Sequence, residues 1–349
     1  MPRCVDLRED GLGRAVAGRR VIMRMHANEH PDGPPADVAD ALRAVIPELH
    51  RYPPPVSALE TAIAELHDVP LNRVLVGAGS AEVISLAWRA FTGPDRPAFF
   101  HEPEFELYAL LGAQCGTPTL TRAVGAADSY ADLSEYLADR GPVGLVALSN
   151  PHNPTGAFRP RRAVADLVAA LPATTVVLND EAYHDYADPA ADELPLAALS
   201  ELPNVLTTRT FSKIHGLAGL RVGYGIGHAS LIGALRSLQT PFSVSAAGCV
   251  AALAALADPE SPARRREGNR LRRQELADAL AGRGFDVTPS QANFLYARPP
   301  REPGGWAARL LDLGVRVAPA GDGLRVTVGT AAELAALLTA VDEILATAT

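Results

Sequence analysis

The stretch TFSKIHGLAGLRVGYG, residues 210–225, contains Lys213, the only lysine of a 349-residue chain. Lysine and arginine together number 32, so every other side chain of these two types is an arginine. Arginine stays protonated in proteins and does not condense with an aldehyde, whereas a desolvated lysine amine can do so. The single lysine therefore predicts a role that requires an amine. A surface lysine without a role is the alternative, and it stays open at this point.

Short apolar segments alternate with helical patterns before this stretch. Residues 73–77, 143–149 and 174–180 read RVLVG, VGLVALS and TTVVLND, and each is followed by a loop or a helical pattern. Continuous apolar strands alternating with helices are typical of an α/β fold, with a mostly parallel sheet covered on both faces. We expect an N-terminal arm over residues 1–30, a large domain over 31–243 and a smaller α+β domain over 244–349.

The composition excludes several classes of protein. A net charge of −8 argues against a general nucleic-acid surface, and the basic run ARRREGNRLRR (263–273) is expected to be a solvated helix face. The three cysteines are widely spaced, which fits neither a disulfide framework nor a zinc site and favours a reducing cytoplasm. No segment has the pattern of a signal peptide or a membrane span. The sequence thus predicts a cytoplasmic protein with no metal site.

Ligands of open α/β sheets bind beyond the carboxyl ends of the strands. After the strand at 73–77 comes GAGSAE (77–82), where the free backbone amides of Ser80 and Ala81 could hold a phosphate at a helix N-terminus. A plain strand-to-helix turn explains this segment equally well. After the strand at 143–149 comes NPHNPTG (150–156), in which Pro and Gly impose a defined, non-helical loop.

Two further strand ends carry polar side chains. Asp180 follows a buried strand with Tyr183 close behind, although an isolated aspartate in this position is more often a helix cap. Thr210, Ser212 and Arg221 surround Lys213 in sequence and are suitable phosphate ligands. An amine, a carboxylate, a phenol and a polar phosphate cup are together what pyridoxal phosphate requires.

At these residues the sequence resembles the fold-type I pyridoxal-phosphate aminotransferases, and in particular the histidinol-phosphate aminotransferase group. The resemblance covers nearly the whole chain. It is carried, in order, by HANEHPDGPP (26–35), RYP (51–53), GAGSAE (77–82), EPEFELY (102–108), SNPHNPTG (149–156), NDEAY (179–183), TFSKIHGLAGLRVGY (210–224), SQANFLYA (290–297) and LRVTVGT (324–330).

The resemblance implies pyridoxal 5'-phosphate as cofactor and a role for each matching residue. Lys213 would form the Schiff base and move a proton, while Asp180 would pair with the pyridine nitrogen. Tyr183 and Asn153 would bind the ring hydroxyl, and Phe105 would stack on the ring. The phosphate would be held by Ser80, Ala81, Thr210, Ser212 and Arg221. Tyr52 would reach the cofactor of a neighbouring subunit, which implies a homodimer. Arg325 and Asn153 would bind the substrate, and Arg325 would do so through the carboxylate of the substrate.

Three positions depart from the family pattern. Phe105 stands where tyrosine is common, and Ala81 where aspartate is common. Ala318 stands where the family usually has an arginine, and Arg316, two residues earlier, is expected to share its face if both lie on one strand. Phe105 keeps the aromatic ring needed for stacking, and Ala81 keeps the backbone amide, whereas the departure at Ala318 falls on substrate recognition. The resemblance therefore supports the cofactor chemistry more directly than the identity of the substrate.

The sequence therefore predicts an aminotransferase that passes an amino group from histidinol phosphate, or from an aromatic or other amino acid, to a 2-oxo acid. A lyase on the same scaffold, such as an amino-acid-phosphate decarboxylase, is the alternative, since one cofactor serves both reactions. A cofactor-binding protein without activity is a third reading. The expected partners are small molecules and a second copy of the chain, with no nucleic acid and no membrane.

Overall fold

The computed structural model describes residues 22–123, 130–300 and 305–347. The strands are β1 (Met23–Arg24), β2 (Val74–Gly77), β3 (Ala98–Glu102), β4 (Thr119–Ala123), β5 (Leu145–Ser149), β6 (Val176–Asp180), β7 (Val205–Thr210), β8 (Gly223–Gly227), β9 (Asp286–Thr288), β10 (Phe294–Arg298), β11 (Val315–Arg316), β12 (Ala318–Ala320) and β13 (Gly323–Thr327).

The α-helices are α1 (Ala36–Val45), α2 (Ser57–His67), α3 (Ser80–Phe91), α4 (Leu107–Cys115), α5 (Tyr130–Ala138), α6 (Arg161–Ala170), α7 (Leu196–Ser200), α8 (Ala229–Leu238), α9 (Ala246–Leu256), α10 (Ser261–Ala281), α11 (Trp306–Asp312) and α12 (Ala331–Ala346). Among these, no helix combines the length and the apolar content needed to cross a bilayer.

The larger sheet has seven strands in the order β2-β8-β7-β6-β5-β3-β4. Neighbours from β7 to β4 run parallel, and β8 is antiparallel to both β2 and β7. Successive residues of β5 enter different cores, with Leu145 and Ala147 packing on one face and Val146 and Leu148 on the other. A strand buried on both faces has to be apolar throughout, which is why these segments lack polar alternation. The predicted mostly parallel α/β sheet is confirmed.

The smaller sheet is antiparallel, in the order β12-β13-β10-β9, and has a hydrophobic core of its own that includes Leu276, Leu295 and Leu337. The chain before the large domain packs on this smaller unit, because β1 pairs in parallel with β11 and Met25 is buried in its core. Residues 1–21 of the expected arm lie outside the described residues.

Helix α9 belongs to the core of the large sheet. Its residues Cys249 and Ala252 are buried in the same cluster as Val38 of α1 and Leu59 of α2. The sequence instead predicts this helix in the small domain, because it predicts that the large domain ends at residue 243. We propose instead that the boundary lies between α9 and α10, because residues of α10 such as Leu276 pack in the other core.

Helix α10 is less solvated than its basic sequence predicted. The guanidinium of Arg265 donates to the carbonyls of Ile214 and Gly33 at 2.9 and 2.7 Å, and Arg273 donates to the carbonyl of Ala292 at 2.7 Å. Arg265 therefore connects α10 to loops of the large domain, whereas Arg273 holds a loop of the small domain itself. Sequence alone missed this because a charged run shows which residues share a helix face and does not show what that face contacts.

A buried carboxylate, Glu181, joins three elements at the end of β6. Arg161 of α6 donates to both of its oxygens, at 2.7 and 2.8 Å, and Arg209 of β7 donates to Oε2 at 2.8 and 3.0 Å. Burial alone would raise the pKa of Glu181, but the positive charges around it hold that pKa well below its usual range. The cluster keeps the ends of β6 and β7 in register beside the following site.

Glu181→Gln is expected to lower the free energy of unfolding by about 3 kcal/mol at pH 7, because it leaves two buried guanidinium groups short of a negative partner. The depressed pKa contributes stability above the ordinary value of 4.5 that is lost as pH falls below it. The difference in the free energy of unfolding between wild type and variant should therefore become smaller in acid, as measured by urea unfolding from pH 7 to pH 3. The matched control is Glu201→Gln, which breaks the exposed pair with Arg73. An equal loss of unfolding free energy in Glu181→Gln and Glu201→Gln would contradict the role of the cluster.

Candidate active site

The candidate site lies at the carboxyl edge of the large sheet. The residues that follow β2, β3, β5, β6 and β7 meet there, and β8 begins at the same edge because it runs in the opposite direction. This is the edge at which open α/β sheets bind ligands. The fold thus brings together segments that are far apart in sequence, from Gly77 at the end of β2 to Gly223 at the start of β8.

A positively polarised cup forms where β2 passes into α3. The helix begins at Ser80, and Gly79 before it has a φ of +79°, a conformation that glycine adopts without strain. A Cβ on Gly79 would lie 2.5 Å from Nη2 of Arg221, so the guanidinium lies directly against this turn. The first amides of a helix and an adjacent guanidinium are a suitable site for an anion.

Two hydroxyls complete the cup from the end of β7. Thr210 donates to Ser212 Oγ at 2.9 Å, and Nη1 of Arg221 donates to the same oxygen at 3.3 Å. Both hydroxyl residues are buried. Of the residues expected to bind phosphate, Thr210, Ser212 and Arg221 are therefore in contact with one another, and α3 presents the amides of Ser80 and Ala81 beside them.

Lys213 lies inside the crevice. Its Nζ donates to the carbonyl of Ala27 at 3.1 Å and is 5.5 Å from the centre of the Tyr183 ring. Tyr183 is itself buried, and its hydroxyl accepts a hydrogen bond of 3.0 Å from Asn28. The amine is thus half-buried between the segment before α1 and the Tyr183 ring, and its side chain does not extend freely into solvent.

Asp180 ends β6 with its side chain fully enclosed. Thr208 donates to Oδ1 at 2.8 Å. Burial raises the pKa of Asp180 to about 6, against the opposing effect of the Thr208 hydrogen bond. Asp180 is not a helix cap, because a short turn and not an α-helix follows it. A buried carboxylate of this kind is suited to hold a cationic group.

The small domain reaches the site through Arg325 of β13. Nη1 of Arg325 donates to Oδ1 of Asn153 at 2.6 Å, and Nη2 donates to the carbonyl of His26 at 2.7 Å. Asn153 comes from the loop after β5 in the large domain. One guanidinium therefore joins both domains and the segment before α1, and its Nε is buried without a protein partner among the described residues.

The structure adds two residues that sequence reasoning missed. Asn28 bonds the Tyr183 hydroxyl, and its backbone amide donates to Thr327 Oγ1 at 3.0 Å. Tyr108 of α4 is fully buried, and burial together with the charges of Asp180 and Glu104 raises the pKa of its phenol. Both residues stand in segments quoted for the resemblance, HANEHPDGPP and EPEFELY, which was the available signal.

Two predicted residues lie further out. Phe105 is half-buried in the loop before α4, with its ring 5.7 Å from that of Tyr108. Tyr52 is 82% exposed and stacks on Phe242, itself 63% exposed, at a ring distance of 5.0 Å. Within one chain Tyr52 therefore touches none of the groups described above.

Ala318 and Arg316 belong to different strand pairs. Ala318 of β12 lies opposite Arg325 in β13, whereas Arg316 of β11 is exposed and lies opposite Arg24 of β1. The chain changes its partner strand at Val317, so Arg316 and Ala318 do not lie on one strand and the condition for a shared face is not met. The cross-strand partners of Arg325 are Ala318 and Tyr296.

The chain was compared with known proteins. The family model for aminotransferase class I and II matches residues 20–341. Histidinol-phosphate aminotransferase 2 of Ralstonia nicotianae is 36% identical over 337 residues, covering 94% of this chain and 90% of that protein. The structure of histidinol-phosphate aminotransferase from Sinorhizobium meliloti, in complex with pyridoxal-5'-phosphate, superposes with a TM-score of 0.88 at 28% identity, over 95% of this chain and 93% of that one.

A decarboxylase is similar in fold alone. L-threonine-O-3-phosphate decarboxylase from Porphyromonas gingivalis has a TM-score of 0.80 at 19% identity, over 93% of this chain and all of that one. Because the similarity to aminotransferases extends to sequence over most of the chain, the lyase alternative is not favoured. The chain belongs to the class I and II aminotransferases and is a pyridoxal-phosphate-dependent aminotransferase of fold type I.

Proposed function

We propose that this enzyme transfers the amino group of histidinol phosphate to a 2-oxo acid. The observation that carries the proposal is the position of Lys213, the one amine of its kind, inside a crevice formed by Asp180, Tyr183 and the small domain. The name of the Ralstonia nicotianae relative supports the choice of donor. The 2-oxo acid acceptor follows from the class of reaction.

The residues of the crevice fit pyridoxal phosphate. The helix N-terminus at Ser80, the guanidinium of Arg221 and the hydroxyls of Thr210 and Ser212 provide a cup for a phosphate dianion. The amide of Ala81 extends this cup. When bound, the cofactor supplies an aldehyde that condenses with amines and a ring that withdraws electrons.

The remaining side chains have separate tasks toward the reacting atoms. Lys213 Nζ would provide the amine for the aldehyde and, when free, would take the proton from the substrate Cα. Asp180 would pair with the protonated ring nitrogen. Tyr183 and Asn153 would bind the ring hydroxyl, and Phe105 would stack on the ring. The contacts of Lys213, Asp180, Tyr183 and Asn153 at one edge of the sheet support their roles. The role of Phe105 rests on the resemblance alone.

Arg325 is proposed to bind the anionic group of each substrate in turn, the phosphate of the donor and a carboxylate of the acceptor. Its Nε is buried and unpartnered, and a guanidinium binds such groups through parallel hydrogen bonds. Asn153 would orient the guanidinium through the hydrogen bond of 2.6 Å.

The active unit is proposed to be a homodimer in the cytoplasm. Tyr52 and Phe242 form an exposed aromatic pair that is unusual on the surface of a monomer, and a second subunit would cover it. Tyr52 would then reach the cofactor phosphate of that subunit. Free Cys115 and Cys249 agree with a reducing compartment.

Lys213→Arg is expected to remain folded and to lose both covalent cofactor attachment and turnover, because a guanidinium does not condense with an aldehyde. Borohydride reduction after addition of pyridoxal phosphate should raise the mass of the wild type alone. Histidinol phosphate, phenylalanine and glutamate are then offered to the wild type as donors, and the loss of visible cofactor absorbance is followed. Histidinol phosphate should react fastest and yield an oxo product. Release of carbon dioxide, or an active Lys213→Arg variant, would overturn the mechanism.

Asp180→Asn is expected to weaken pyridoxal phosphate binding by about 10- to 100-fold at pH 8, through loss of a charge-assisted hydrogen bond. Since the pKa of Asp180 is raised to about 6, the wild type should lose this advantage as pH falls below that value. The measured quantity is the ratio of the two dissociation constants, because ionisation of the phosphate is common to both proteins. A ratio independent of pH between 5 and 8 would contradict the role of Asp180.

Gly223→Ala tests the phosphate cup without changing any residue expected to bind the phosphate. A Cβ on Gly223 would lie 2.2 Å from the amide nitrogen of Ser80, so the turn before α3 has to move. We expect cofactor affinity to fall by about tenfold or more. The matched control is Gly219→Ala, whose Cβ meets no atom within 4 Å. Equal affinities in the two variants would show that this turn does not hold the phosphate.

A further inference from the structure

The loop between β3 and α4 buries a carboxyl group that the proposed function does not use. The side chain of Glu104, directly before Phe105, is 1% exposed. Its Oε1 accepts hydrogen bonds from the hydroxyl of Ser149 and from the amide of Phe105, the latter at 3.1 Å. Its Oε2 is buried and has no hydrogen-bond partner among the described residues. A buried carboxylate oxygen left in this state is costly.

The group opposite this oxygen is the imidazole of His152, in the loop after β5. Its Nε2 lies 3.5 Å from Glu104 Oε2 and is also buried, with no hydrogen-bond partner in the described part of the chain. Nδ1 of His152 is 2.7 Å from Thr155 Oγ1. A single proton between Oε2 and Nε2 would satisfy both atoms after a small side-chain adjustment, whereas two protons or none would leave a repulsive contact.

The surroundings place that proton on the carboxyl group. Burial, with a further contribution from the negative charge of Asp180, raises the pKa of Glu104 to about 8. Burial, with the charges of His101 and Arg159, lowers the pKa of His152 to about 4. A neutral pair is therefore favoured over an ion pair at neutral pH.

The charged and titratable neighbours come from each element around the pair. Asp180 is on β6, Tyr108 on α4 and His101 on β3, while Arg159 follows the loop that carries His152. The negative charge of Asp180 disfavours a second negative charge on Glu104, and the neutral phenol of Tyr108 adds none. Arg159 and His101 disfavour protonation of His152.

The pair is coupled to the candidate site by one short chain of hydrogen bonds. Ser149, which donates to Glu104, accepts from the amide of Asn153 at 2.8 Å, and Asn153 in turn holds Arg325. Ser149 also lies directly opposite Asp180 in the register of β5 and β6. The state of Glu104 thus bears on the Asn153 loop and on the charge beside Asp180.

We propose that Glu104 is a positioning residue that works in its uncharged form: it shares one proton with His152, fixes the loop that carries Asn153, and spares Asp180 a neighbouring negative charge. The contacts of Glu104 with His152 and Ser149 do not depend on the proposed function. The proposal rests on that function only for the position of Asn153 and Asp180 beside the cofactor ring.

The first test is thermal unfolding of wild type and Glu104→Gln from pH 5 to pH 9, with and without pyridoxal phosphate. A raised folded pKa gives stability that is complete below the ordinary value of 4.5 and is lost as pH rises toward 8. Glutamine keeps the shape without ionising, so the melting temperature of the variant should gain a few degrees on that of the wild type as pH rises. The matched control is Glu106→Gln, two residues away and exposed, for which no such trend is expected.

A second measurement needs no variant. The infrared spectrum of the wild-type protein should contain the carbonyl stretch of a buried protonated carboxyl group at pH 7, and its intensity should fall between pH 7 and pH 9. Subtraction of the Glu104→Gln spectrum assigns the band to this residue and removes any contribution from Asp180. A merely structural side chain would give no such titration.

The cofactor provides the third readout. Glu104→Gln should retain pyridoxal phosphate within about twofold of wild type at pH 7, whereas Glu104→Ala should weaken it about tenfold by releasing Ser149 and the Asn153 loop. A flat stability difference across pH, no titrating carbonyl band, or equal affinity in the Gln and Ala variants would overturn the proposal. The first two outcomes do not depend on catalysis, so they stand apart from any failure of the proposed function.

Discussion

The buried carboxylate of Glu181 is the constraint on which the rest of the active-site edge depends. It is the residue after Asp180, and the two guanidinium groups that converge on it come from α6 and β7. Removing three charges from water is costly, and the cost is offset only while the donors and acceptors keep good geometry. The ends of the two central strands are therefore held in one arrangement. Asp180 and the segment that leads to Lys213 begin at these ends.

The site is shared between the two cores. Lys213, Asp180 and the phosphate cup belong to the large domain, whereas Arg325 comes from the small domain and reaches Asn153 and the carbonyl of His26. The segment before α1 lies between them, since Ala27 accepts from Lys213 and Asn28 donates to Tyr183. A shift of one domain against the other would change the contacts of Arg325 first. The proposed substrate-binding role of Arg325 would couple substrate binding to the position of the domains.

Carboxyl groups near one another at this edge differ sharply in their charge. Glu181 is held ionised by arginines, Asp180 has a pKa raised to about 6 by burial, and that of Glu104 is raised to about 8. The order of these pKa values follows from pairing with cations. All three carboxyl groups are buried, but only Glu181 is paired with guanidinium groups. In the proposed mechanism, such a graded set would provide one permanent charge for structure, one charge for the cofactor and one neutral group beside it.

The sequence by itself determined the fold class and most of the chemistry. Apolar strands between helical patterns can only be buried in a covered sheet, and strand ends of a parallel sheet meet at one edge, so the sequence predicted a shared site for Lys213, Asp180 and Arg221. Tertiary structure alone decided the rest. Helix α9 packs on α1 and α2, Arg316 leaves the strand that carries Ala318, and Glu104 faces His152 across two loops. These contacts join residues distant in sequence, and periodicity and spacing describe only what lies along one segment. Which segment covers another depends on the shape of both surfaces, and that is settled when the chain folds.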